Sequence, residues 1–338
     1  MNPSRRIYRL SPSQLGAETI AVTFAKTSRS PEPFDVIAAE LNAEKSAQFS
    51  EKWIVGYGHS SVAEHAVLHL ALENVSRLAI ETIESNRLAS YTEKSTRYQE
   101  WNPEAYVIPS EVSGSPFERR YGEVVSALFA TYAATMTNLR SWSEISTKRL
   151  EGESEKAWLS RARSRAVDVC RFLLPAASLA NVGMTINARA LEYAIRKLLS
   201  SDLQEVREIG AEVKAVALQE LPTLVKYANP IPSLVNIREE LSANAAPASF
   251  DLNEPWCRLL KAEPEGEEQV LAAVLYRFGN QSYASCLEQV RRLKEAEKSA
   301  LVDEIFADIG PFDVPVRELE YATYDFDLIL DQGAYFEL

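Results

Sequence analysis

A chain of 338 residues with 46% apolar and 25% charged residues has the composition of an ordinary soluble globular protein and room for two domains. Its net charge of -12 speaks against a general nucleic-acid binder, which presents a basic face, and no apolar run is long enough to span a bilayer. Three widely spaced cysteines, Cys170, Cys257 and Cys286, suggest neither a disulfide framework nor a zinc cluster, so buried thiols in a reducing cytoplasm are expected. The first residues, Met-Asn-Pro-Ser-Arg-Arg, lack the apolar core of a signal peptide.

In chain order, Ile20 to Ala25 reads as a strand or a buried helix, and Phe34 to Trp53 as an amphipathic helix ending near Gly56 and Gly58. His65 and His69 have a spacing that suits two metal ligands on one helical face. However, Leu68, Leu70 and Leu72 alternate with His69, Ala71 and Glu73, the period of a half-buried strand, so Val67 to Val75 is expected to be a strand and no metal site is expected. Ser76 suits the cap of a helix through Ile83. Tyr106 to Pro109 reads as a short strand, and Ser115-Pro116-Phe117-Glu118 as a capping box opening a long helix toward Trp142. A second helix starts near Ser154 and stops before Pro175; its arginines, flanked by acidic residues, read as a solvated face.

Between these helices lies Arg87 to Tyr98, which packs two arginines, two spaced serines, a glutamate and two tyrosines into twelve residues. It has no helical apolar stripe and no strand alternation. Arginine forks and serine hydroxyls suit an anionic, oxygen-rich ligand, although the same composition also suits a solvated turn.

The run resembles the signature of the flavin-dependent thymidylate synthases, Arg-His-Arg-x-x-Ser-x-Asn-Glu-x-Ser-x-Arg-Tyr. Arg87, Ser90, Glu93, Ser95, Arg97 and Tyr98 match, while Ser85, Asn86 and Thr92 depart from it. Three further segments are similar to family elements in the same order: Gly58 to His65, Cys170 to Pro175, and Thr185 to Leu191. Gln204 to Arg207 then resembles a fourth, and the similarity ends near Tyr227.

The resemblance implies an α+β fold, a mixed or antiparallel sheet wrapped by long helices. It implies FAD-dependent methylation of dUMP to dTMP, with methylenetetrahydrofolate and NADPH as co-substrates and without a cysteine nucleophile. It places Glu93, Ser95, Thr96, Arg97 and Arg171 at the nucleotide, and Ser28, His59, Ser61, Glu64, Arg87, Asn187 and Arg189 at the flavin. It also implies self-association, since the family builds each site from several subunits of a tetramer. An arginine expected on the helix after Asn187 falls at Leu198, with Arg196 two residues earlier. The departures leave open a catalytically silent member acting as a structural or nucleotide-binding partner, or a flavoenzyme on another pyrimidine nucleotide.

The first domain is expected over residues 1–228. Residues 229–255, rich in Pro, Ala, Ser and Asn, read as a linker. Residues 256–338 read as a partial second copy at an offset of about 252 residues: Val22 to Ser30 corresponds to Val274 to Ser282, Lys45-Ser46-Ala47 to Lys298-Ser299-Ala300, and Gly58 to Gly310. Ala322, Tyr324, Phe326 and Leu328 are then the counterpart of the first strand's apolar face, and Leu338 that of Asn86, which reads as a truncated chain.

Overall fold

The computed structural model describes residues 12, 14–27, 30, 32–56, 60–244 and 255–335. Ser28 and His59 lie outside the described residues. Two compact units emerge, Met1–Pro247 together with Gln332–Leu338, and Ala248–Asp331. No helix among the described residues is long and apolar enough to cross a membrane.

The first unit opens with three helices, α1 (Ala17–Thr27), α2 (Phe34–Ala39) and α3 (Ala43–Phe49), then a wide turn of π-helix at Ser50–Gly56 and a 3-10 turn at Ser60–His65. The single helix read over Phe34 to Trp53 is therefore broken. Asn42 is extended, with φ -137 and ψ 176, and its side chain accepts from Lys45 N to start a new helix. A short polar side chain that caps the next turn competes with continuing the last one.

The strand expected at Val67 to Val75 is present as β1 (Val67–Ser76). Its pairing is interrupted by a bulge between Leu72 and Val75, where Asn74 adopts φ 55, a left-handed conformation that asparagine tolerates, and its N–H is held by Asn181 Oδ1 at 2.9 Å. Ser76 caps α4 (Arg77–Glu84) as expected, accepting from Ala79 N. The chain then runs back as β2 (Ala89–Glu93). Tyr106 makes only a single antiparallel bridge with Ser178, not a strand. Pro109 ends the pairing by opening a turn in which its carbonyl accepts from Val112 N and Ser113 N.

Two long helices follow, α5 (Glu118–Ser146) and α6 (Glu155–Cys170). The expected capping box at Ser115 is displaced. Glu118 reaches back to Gly114 N at 2.6 Å, and Ser115 Oγ accepts from Phe117 N. Ser154 caps α6 as its sequence suggests, and a 3-10 turn at Arg171–Leu173 carries the chain to Pro175.

β3 (Leu179–Asn187) is the centre of the unit. It buries Ala180, Val182, Met184 and Ile186 at alternate positions and pairs antiparallel with β1 on one side and β2 on the other. α7 (Ala188–Leu199) buries Ala188, Leu191, Ala194, Ile195 and Leu198, the spacing of a helix laid on a core. It packs closely on α8 (Gln204–Glu220): a Cβ added at Gly210 of α8 would stand 2.8 Å from Leu198 Cβ. The stretch read as a linker contains a further helix, α9 (Pro232–Asn244), which opens on proline at its first position.

The second unit contains β4 (Cys257–Ala262), α10 (Gly266–Phe278), α11 (Tyr283–Arg292), α12 (Glu295–Phe306), a 3-10 turn at Arg317–Tyr321 and β5 (Tyr324–Leu328). β4 and β5 form a two-stranded antiparallel ribbon. A small core gathers Leu271, Ala272, Cys286 and Val290. The fold is thus α+β with antiparallel sheets among helices, as the sequence implies.

Candidate functional site

One side of α7, from Asn187 to Lys197, and the C-terminus of α4 line a cleft of about 640 Å³. Glu64, Arg87, Asn187 and Arg189, drawn from three separate segments, all line it. Arg189 Nη1 lies 2.5 Å from Glu64 Oε1, an ion pair that ties the 3-10 turn to α7. Asn187 sits where β3 ends, and its Oδ1 caps α7 by accepting from Ala190 N at 2.9 Å. Ser61 is exposed on the 3-10 turn; its neighbour Ser60 is the serine that lines the cleft.

Of the three residues that depart from the signature, Ser85 and Asn86 are turned toward their own helix. Asn86 is buried and donates from Nδ2 to Ile83 O at 2.8 Å. Ser85 donates to Thr82 O at 2.6 Å and accepts from the Lys197 ammonium. Tyr91 clamps the same corner, donating to Ile83 O and Asn86 O at 3.0 and 2.9 Å. Burial, then the nearby Glu84 charge, pushes its phenol up to about 12.

The remaining signature residues form a second cluster. Ser95 Oγ accepts from Arg97 N and Tyr98 N at 3.1 and 3.2 Å, which shapes a tight turn around the half-buried Thr96. That turn brings Arg97 Nε to 3.4 Å from Asp168 Oδ1, and Arg171 Nε lies 3.3 Å from the same oxygen. Two arginines 74 positions apart in sequence therefore converge on one carboxylate. Arg171 is largely buried with its guanidinium 5.0 Å from the Phe172 ring centroid, and Arg97 is exposed. Paired cations sharing one carboxylate keep net positive charge available to an anion.

Glu93, at the end of β2, is half-buried, and its carboxyl is pushed up to about 7. Burial is the main cause, opposed by the Arg77 guanidinium and reinforced by Glu84. Arg77 itself is fully buried, 5.7 Å from the Trp101 ring centroid, with Lys94 at 4.5 Å from the same ring. A carboxyl that titrates near neutrality is suited to gaining or losing a proton during a reaction.

The two histidines of metal-like spacing do not share a helix. His69 lies on β1 with Nδ1 2.8 Å from Thr185 Oγ1 across the sheet, while the His65 ring stands 4.8 Å from that of Phe24.

Asp168, Arg77 and Lys197 were not singled out from sequence. Asp168 carries a local signal, lying three residues before Arg171 on one helix face. For Lys197 the signal is the apolar stripe of α7. Leu198 belongs to that stripe and is buried, whereas Arg189, Tyr193 and Lys197, spaced four apart, line the cleft together with Ala190 and Glu192. Arg196 turns aside to Glu192 at 3.6 Å.

A model of the family described as thymidylate synthase complementing protein matches residues 9–223. A UPF0159 protein of Chlamydia pneumoniae is 27% identical over 317 residues, covering 88% of this chain and 60% of the relative. The chain thus spans about three fifths of that relative's length. A flavin-dependent thymidylate synthase of Clostridium tetani is 28% identical over 222 residues, 65% of this chain and 84% of that protein. The solved structure of a UMP/dUMP methylase PolB from Streptomyces cacaoi, bound with 5-Br dUMP, aligns over 62% of this chain and 88% of its own at 14% identity with a TM-score of 0.45, a likeness too slight to bear on the site.

Proposed function

The chain belongs to the thymidylate synthase complementing protein family, and on that premise we propose that it methylates dUMP to dTMP, using FAD as its redox group, methylenetetrahydrofolate as one-carbon donor and NADPH as reductant. The observation that carries this reading is the convergence of Glu64, Arg87, Asn187 and Arg189 from separate motifs onto one cleft. The donor set fits a flavin dinucleotide: guanidinium groups for its phosphates, and carboxylate and amide oxygens for its hydroxyls and ring edge. When bound, the flavin supplies the hydride that the new methyl group requires.

In this reading Arg87, Ser61, Glu64, Asn187 and Arg189, with Ser28 and His59, hold the FAD. Arg97 and Arg171 hold the nucleotide phosphate and polarise the base. Ser95, Thr96 and Glu93 orient it by hydrogen bonds, and Glu93, titrating near neutrality, holds or releases a proton beside it. Cys170 and Cys286 are buried, burial pushes the Cys170 thiol up, away from the reactive thiolate, and the half-buried Cys257 lies on β4 of the second unit. Completion of the site by further copies of the chain, in the cytoplasm, belongs to the same proposal.

A second reading, a nucleotide-binding member without turnover, draws on the inward turn of Ser85 and Asn86, which offers the cleft neither a cation nor an imidazole. One experiment separates the two. Purified full-length protein is expected to show a flavin spectrum that NADPH bleaches when dUMP is present and not otherwise, with Arg97→Ala needing tenfold or more dUMP. Bound flavin that NADPH never bleaches supports the silent member, and protein that takes up no flavin overturns the first reading.

Residues 256–338 are, in the same proposal, a partial second copy of the first domain. Its support is that residues 17–76 and 266–328 both pass through three α-helices, a 3-10 turn and a strand, although the first also has a π-helical turn at Ser50–Gly56.

A further inference from the structure

α7 turns one stripe to the core and another, Arg189, Tyr193 and Lys197, to the cleft between it and the end of α4. The charges on this wall are unevenly matched. Glu64 is taken by Arg189 at 2.5 Å, and Glu192 faces Arg196 at 3.6 Å. Lys197 instead donates to the Ser85 hydroxyl, a neutral acceptor whose own proton goes to Thr82 O. Ser85 thereby holds the ammonium at the cleft wall without cancelling its charge. Lys197 is half-buried, and partial withdrawal from water pulls its pKa down, as for a cation that has lost hydration without gaining a carboxylate. On the neighbouring wall Arg87 is exposed to the same space.

We propose that Lys197, positioned by Ser85, is an anion-binding residue of this cleft and contacts a phosphate group of the ligand that occupies it. The inference rests on the reading of the cleft as a ligand site. It assigns the cation to position 197, which faces the cleft, and denies it to position 198, which is core. A hydroxyl partner aims the ammonium while leaving its charge to the ligand. The phosphate has two chemical sources, the diphosphate of a flavin dinucleotide and the monophosphate of a nucleotide.

The test compares the full-length wild type with Lys197→Met and Lys197→Arg by titration calorimetry. The probes are FAD against riboflavin, dUMP against deoxyuridine, and inorganic pyrophosphate. Lys197→Met is expected to lower affinity about tenfold or more for pyrophosphate and for one phosphate-bearing ligand, leaving its phosphate-free partner within about twofold. Lys197→Arg should keep most of the wild-type affinity, and the ligand pair affected names the source. Equal losses for the phosphate-bearing and phosphate-free members of a pair, or no loss for any probe, overturn the proposal.

Should Lys197→Met fail to fold, acylation of lysines in the wild type followed by mass spectrometry gives the answer directly. Pyrophosphate should slow modification of Lys197 about fivefold or more, the shielding expected when an ammonium is held by a bound anion. Unchanged labelling overturns the proposal. Protection by pyrophosphate in a protein that binds no FAD would reject the flavoprotein reading and leave this inference standing.

Discussion

Residues 17–76 and 266–328 each run through three α-helices, a 3-10 turn and a strand, the first with an added π-helical turn at Ser50–Gly56, and their last strands meet different surroundings. β1 pairs with β3, and its Leu72 and Val75 enter the main core. Among the described residues β5 pairs only with β4, and all five of its residues are exposed. The 3-10 turns before them differ in the same way. In the first unit Glu64 is paired with Arg189 of α7, so the turn walls a cleft. In the second, Arg317 pairs with Glu320 of its own turn, and Glu318 with Arg277 of α10. The early elements alone therefore do not make the site. They become one when β3 and α7 arrive to cover the strand and oppose the turn. Among its described residues the second unit has neither.

The largest effect that tests this contrast lies in α7. Placing at Leu198 the arginine that the family pattern expects should destabilise the protein, not restore a ligand. Leu198 is 1% exposed and stands against Gly210 of α8. Leu198→Arg should cost about 3–5 kcal/mol in urea or thermal unfolding, the range for a buried charge left without a partner. A variant that melts like wild type and binds phosphate more tightly would show that α7 turns a different face to the core, and the assignment of its two stripes would fail.

How much of this was legible follows from the range of each signal. Local signals sufficed for β1, whose alternating leucines face the core, and for the caps at Ser76 and Ser154, where a hydroxyl lies three residues before the N–H it accepts. The signature run could be picked out by its clustered donors, but its first half, which shows no strand alternation of apolar residues, is β2, held by pairing with β3. The break at Asn42 was not legible, because an exposed asparagine suits a helix surface or a cap and packing decides between them. Lys197 was missed through rotational phase, since one residue turns a helical side chain by about 100° and separates core from cleft. The stripe of Leu191, Ile195 and Leu198 held that information in the sequence. Asp168 as a meeting point of Arg97 and Arg171 depends on a contact across 71 positions that no spacing rule encodes.

A smaller effect distinguishes the acids of the two sheets. Asp325 and Asp327 of β5 are exposed, whereas Glu93 of β2 is half-buried with its carboxyl pushed up to about 7. The folded state then holds the Glu93 proton more tightly than the unfolded chain does. Its contribution to stability is fully present below the ordinary carboxylate value of 4.5 and is lost as pH rises through about 7. Glu93→Gln keeps the shape and removes the titration. At pH 8 it should be more stable than wild type by on the order of 1 kcal/mol, discounted because water still reaches the side chain, and the gap should close by pH 5. Thermal unfolding at several pH values reads this, and parallel curves for the two proteins would remove Glu93 as a group held protonated by the fold.

The smallest expected effect lies in the second unit, in the turn that follows Gly310. If residues 256–338 are the partial second copy proposed above, Phe312 follows Gly310 as Ser60 follows Gly58. Asp313 closes this segment into a turn by accepting from Gly310 N at 2.8 Å, and Phe312 projects from it, 96% exposed. A side chain that is already solvated buries no apolar surface on folding, so replacing it removes no packing. Phe312→Ser should change unfolding free energy by less than about 0.5 kcal/mol and leave ligand affinity in the first unit unchanged. The Asp313 turn, built from a carboxylate and a backbone N–H, should survive because neither group is altered. A loss above about 1 kcal/mol would mean that Phe312 is covered in solution. The second unit would then possess a packed counterpart to the first unit's site, and the contrast between a finished wall and a bare one would no longer hold.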